Sequence, residues 1–125
     1  MLALTDPNEA YRRSEIDARI RGSNAADLVT FCLDQAIAGL GHAILAHRQG
    51  NPTIRSKALT RALTAVTALE MGIDRSSPLA EALLQLYGAA RKAMLDCVIR
   101  FDTEGLETIR SDFVEIRAAF SSAPR

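Results

Sequence analysis

The sequence predicts an all-α protein: an antiparallel up-down four-helix bundle preceded by a short N-terminal leader able to form a helix. Three observations carry that reading. Four long stretches are amphipathic at the helical period, helix-start and helix-stop residues fall between them, and no alternation of Val, Ile or Thr runs long enough to make a strand. Short connections make consecutive helices antiparallel neighbours, and four amphipathic helices bury their apolar stripes most simply in one bundle. A chain of 125 residues has the length of one domain with a real core.

Residues 1–22 form the leader, whose sizeable apolar groups are Leu2, Leu4, Tyr11, Ile16 and Ile20 among many charges. Such a segment can form a short helix but cannot fold alone. The bundle is expected over residues 23–120. Ser23 is a good N-cap for a first helix running to about Arg48, with Val29, Leu33, Ile37, Leu40 and Ile44 on its core face. Gly50-Asn51-Pro52 then supplies a C-terminal glycine, an N-cap and a proline at the first helical position. The second helix runs to about Met71 and stops at Gly72. Ser77-Pro78 repeats the cap-and-proline logic for a third helix, read as continuous over residues 76–102. Asp102 or Thr103 caps the fourth, whose seam is Leu106, Ile109, Phe113, Ile116 and Phe120. Residues 121–125 read as a frayed tail.

Apolar surface exceeds what one narrow stripe per helix would need. In the third helix Leu79, Leu83, Leu86, Ala90, Met94, Cys97 and Phe101 form one row, and Leu84, Tyr87, Leu95 and Val98 form a second beside it. The polar stripe of Glu81, Gln85, Gly88, Lys92 and Asp96 is slim. On the first helix Leu28, Phe31 and Cys32 are left over. On the second, Ala58, Ala62, Ala65 and Leu69 lie beside Leu59, Leu63 and Val66, and the alanines would let another helix come close. Two explanations stay open. Four helices can share one wide core, or an outer groove, partly covered by the leader, can accept an amphipathic helix from a partner.

Composition excludes several classes of function. Fifteen basic and fifteen acidic side chains give zero net charge and a pI near 6.7, so no basic field exists to hold nucleic acid or an anionic membrane. Cys32 and Cys97 lack CxxC spacing and read as buried thiols of a reducing compartment. The start lacks a secretory or anchor pattern, and polar breaks interrupt every apolar run before membrane-spanning length, so a cytoplasmic location is expected. His42 and His47, five apart, lie about 140° apart on a helix and cannot share a metal. Neither follows a glutamate by three, as di-iron bundles require. The HAILAH stretch that His42 opens lacks the lysine and glycine expected to follow a phosphoacceptor. No phosphate loop, nucleophile elbow or paired carboxylates occur. Neither an enzyme nor a cofactor or metal is expected.

The segments AYRR, SNAADLVTFCLDQAIAGLGHAI, RALTAVTALEMGI, LAEALLQLYGAARKAM and DTEGLETIRSDFVEIRAAF, in this order and spacing, resemble the flagellar export chaperone family FliS. The specific points are Ala10-Tyr11, the Leu28 start of the first helix, the alanine pattern of the second, Leu86-Tyr87 and the closing Arg117-Ala118-Ala119-Phe120. The resemblance implies a cytoplasmic chaperone that binds the disordered C-terminal segment of flagellin, blocks premature polymerisation and aids delivery to the flagellar type III export apparatus. Client contacts are then expected at Tyr11, Leu28, Phe31, Leu59, Leu63, Leu84, Tyr87, Leu95 and Val98. Tyr11, matched to a tyrosine of the family's leader, is either a gate over the groove or a staple holding the leader down. A monomer or weak dimer is expected, with no nucleic acid and no membrane insertion. Three positions depart from the family pattern: Ser23-Asn24 stands for Ser-Pro, Gly88-Ala89-Ala90 for Asp and an aromatic, and Phe120 for Trp. The competing reading is a helical homodimer or scaffold protein that binds no flagellin, its surplus face meeting its own copy.

Overall fold

The computed structural model describes residues 25–122, which form four helices and no strand: α1 (Ala25–Arg48), α2 (Pro52–Met71), α3 (Ala80–Asp96) and α4 (Thr103–Ser122). The leader with Tyr11, the Ser23 cap and residues 123–125 lie outside the described residues. α1 packs most extensively on α2 and next on α4, α2 meets α3, and α3 touches α4 least. The order round the bundle is therefore the order of the chain, as short connections require.

The first turn forms as its residues dictate. Gly50 takes the left-handed φ of 66° that a glycine adopts without steric cost. The Asn51 side chain accepts the Ile54 N–H at 3.1 Å, and Pro52 occupies the first turn of α2, where its missing N–H leaves no bond unmade.

The third helix differs from expectation at both ends. The Ser77 hydroxyl accepts the Leu79 N–H at 3.2 Å, so Ser77-Pro78 shape a turn and the helix begins only at Ala80. Just before it, Asp74 accepts from the Ser76 hydroxyl and N–H at 2.6 and 3.0 Å, which holds its carboxyl below the usual carboxylate range. At the other end α3 stops at Asp96, and Cys97 to Ile99 form a turn in which the Val98 N–H donates to Leu95 O at 3.1 Å. Asp102 then caps α4, its side chain accepting the Gly105 N–H at 3.0 Å.

The core is built from two unlike halves. Along α1 and α2 the buried residues include Ala36, Ala43, Ala58, Ala62 and Ala65, and the helices approach so closely that a Cβ on Gly39 would lie 2.9 Å from both the Ala58 carbonyl oxygen and the Ala62 nitrogen. The other half carries bulk: Tyr87 of α3 stacks on Phe113 of α4 with ring centroids 6.0 Å apart, beside Met94 and Leu106. The Tyr87 ring sits at the centre of the buried face, so α3 is turned by roughly 40° from the rotation its first apolar row predicts.

By length and composition Ala26–Arg48 could cross a membrane, contrary to the expectation from its polar breaks. In the bundle its Leu33, Ala36, Leu40 and Ala43 are wholly buried. Arg48–Glu107 at 2.6 Å and Arg117–Asp34 at 2.7 Å join α1 to α4 at exposed positions, where such pairs contribute about 0–1 kcal/mol each.

Candidate partner-binding surface

Apart from Tyr11, which lies outside the described residues, the residues expected to meet a client fall into three groups. Tyr87 and Leu59 are core, with 2% and 8% of their surface exposed, which corrects their expected place on the outer surface. Tyr87 belongs inside because its ring is the volume that fills the space opposite the alanine-lined α1–α2 seam. Burial pushes its phenol up from the usual range, and the neighbouring Cys32 thiol adds to that effect. Leu28 and Phe31 are half-buried on α1 and pack against the core, while the neighbouring surplus residue Cys32 is buried in it.

Leu63, Leu84, Leu95 and Val98 form the third group, the first three along the face shared by α2 and α3 and Val98 in the turn after α3. The Arg91 guanidinium of α3 donates to the Glu70 carboxylate of α2 at 2.8 Å and so marks where that face lies. Leu63 precedes Glu70 by seven residues, and Leu84 and Leu95 lie seven before and four after Arg91. Residues at these intervals share a helix face. Because α2 and α3 are antiparallel, Leu63 and Leu95 lie on one side of the ion pair and Leu84 on the other.

This face is open. Leu63 and Leu84 are half-buried, Leu63 also packing against the core, Leu95 is 46% exposed, and Val98 is 77% exposed because the helix ends before it and the turn lifts it away from the core. From Leu84 to Leu95 the face runs for about 16 Å, three turns of a docked helix. Beside Leu84 is a shallow depression lined by Arg75, Ala80, Glu81 and Gln85. The rim is charged but balanced, since Arg91 pairs with Glu70 and Lys92 with Asp96 at 3.0 Å.

Sequence reasoning missed Ile99, which is 92% exposed next to Val98. No glycine or proline between Ala93 and Asp102 signals that the helix ends early, so Ile99 carried no sign of its turn position. His42 lies exposed near Arg61, and His47 stacks on Phe101 at 4.2 Å while its Nδ1 accepts from Arg55 at 2.9 Å. His42 is exposed and His47 half-buried. Among the described residues no three His, Cys, Asp or Glu side chains lie close enough to hold a metal ion. What the α2–α3 face offers chemically is apolar burial for an amphipathic segment.

The family model described as Flagellar protein FliS matches residues 7–125 of the chain. No curated protein matches it.

Proposed function

The chain belongs to the FliS family of flagellar proteins, and we propose that it is a cytoplasmic export chaperone whose client is the disordered C-terminal segment of flagellin. The family match over residues 7–125 carries this reading, and the open apolar face of α2 and α3 supports its location. A filament subunit with exposed amphipathic ends self-associates before export, and covering one end with a rigid helical surface prevents it. The client segment becomes helical as its apolar side chains settle over Leu63, Leu84, Leu95 and Val98. Each Å2 of apolar surface removed from water contributes about 25 cal/mol, offset by the cost of ordering the segment. No nucleotide or catalytic group is needed. The masked subunit is then handed to the flagellar type III export apparatus.

Calorimetric titration with a peptide of about 40 residues from the flagellin C-terminus, paired with circular dichroism, tests the reading. The expected result is one-to-one binding, submicromolar, with a gain in helicity. A variant carrying Leu84→Ser and Leu95→Ser should keep its helical spectrum and lose most of that affinity. A well-folded protein that ignores the peptide would remove flagellin as the client. Concentration-dependent dimerisation in sedimentation, together with absent peptide binding, would favour the homodimer reading, with Leu95, Val98 and Ile99 as the self-contact.

A further inference from the structure

Gly88 has no role inside the described part of the bundle. The other glycines within the helices each meet a neighbour: a Cβ at Gly39 would strike the α2 backbone, one at Gly41 would press on Arg110, and one at Gly105 would collide with the capping Asp102. Among the described residues a Cβ at Gly88 would meet nothing within 4 Å, and its φ is not positive. A glycine in mid-helix destabilises that helix relative to alanine. Neither backbone conformation nor packing against the described residues compensates for that here.

Its position supplies the missing reason. Gly88 follows Leu84 by four residues and precedes Leu95 by seven, so it lies between them where the open α2–α3 face borders the polar stripe of Gln85 and Lys92, three residues from the Arg91 that pairs with Glu70. We propose that Gly88 is a docking notch that determines which segment this face accepts. Without a side chain there, the axis of an incoming helix comes closer to α3 than a Cβ permits. The partner carries a small residue, Gly, Ala or Ser, opposite the notch, and large apolar residues about one turn to either side that reach Leu84 and Leu95. The balanced rim pairs leave shape and apolar pattern to select the partner, so its affinity responds weakly to salt. This inference rests on the flagellin reading, which supplies the occupant.

The test is Gly88→Ala and Gly88→Leu in the full chain, read by thermal unfolding and by titration with the flagellin C-terminal peptide. Gly88→Ala should raise the unfolding midpoint by about 3–6 °C, because the methyl group meets none of the described residues within 4 Å. It should also weaken peptide binding by roughly tenfold, and Gly88→Leu more, because the methyl occupies the place of the partner's backbone. The opposite signs matter, since a purely structural glycine would move stability and binding together. A stabilised Gly88→Ala variant with wild-type affinity overturns the notch and leaves the chaperone reading standing. A lowered midpoint overturns it as well, since the site would then be packed. Absence of binding by the wild-type chain overturns both.

Discussion

Adding one methyl group at Gly39 should separate the two most closely packed helices of the bundle. A Cβ there would lie 2.9 Å from the Ala58 carbonyl oxygen, 2.9 Å from the Ala62 nitrogen and 3.0 Å from the Ala62 Cβ. Two of these three neighbours are backbone atoms of α2, which no rotamer change can move aside, so relief requires displacing a helix. Overpacking of this kind costs about 1–3 kcal/mol, and alanine returns about 0.5–1 kcal/mol through its better helix propensity. With two backbone approaches of 2.9 Å the cost falls in the upper part of that range, so Gly39→Ala should destabilise by about 1–2 kcal/mol, lowering the thermal midpoint by about 3–10 °C for a domain of this size. Circular dichroism at the helical band during a thermal ramp measures it. A variant as stable as the wild type, or more so, would show that α1 and α2 are not in limiting contact at this level. The contrast with Gly88→Ala sharpens the result, because the same chemical change is expected to have the opposite sign on α3.

Replacing Asn51 by alanine removes the acceptor for the Ile54 N–H while Pro52 keeps the helix start, so about 1 kcal/mol of stability should be lost, visible as a lower urea midpoint with an unchanged slope. Asn51→Asp should recover most of it. The protein should also lose stability in alkali. Burial raises the Cys32 thiol above its usual value of 9.0, and burial followed by Cys32 raises the Tyr87 phenol above 10.0. The native state thus holds both protons more tightly than the unfolded chain. Their contribution is fully present below the unfolded values and falls as pH rises through the folded ones. Thermal midpoints recorded from about pH 8 to about pH 11 should decline, and Tyr87→Phe should flatten the upper part of that decline. Identical curves for the two proteins would refute the assignment to Tyr87.

Most of the architecture was legible in local chemistry. The Gly50-Asn51-Pro52 turn, the stop at Gly72 and the Asp102 cap are each decided by side chains acting on backbone a few residues away, and they appear where the sequence places them. The early end of α3 was not legible. Nothing in Cys97-Val98-Ile99 breaks a helix, and the turn there depends on how the chain must descend to α4. The rotation of α3 was also hidden, because its two apolar rows are nearly equal and periodicity alone cannot rank them.

The candidate site divides along the same line. Pattern reasoning found Leu95 and Val98, which are exposed on α3 and the turn after it, and Leu63 and Leu84, which are half-buried, and it grouped them with Leu59 and Tyr87, which are buried. By itself the sequence determined an all-α chain, the number and order of the described helices, and an excess of apolar surface, since these follow from the helical period and from short-range caps. Only tertiary structure decided which of the excess is core. Gly39 and the alanines of α2 draw the first two helices together, the opposite half of the bundle is filled by the Tyr87 and Phe113 rings, and that match of volumes turns Leu84 and Leu95 outward.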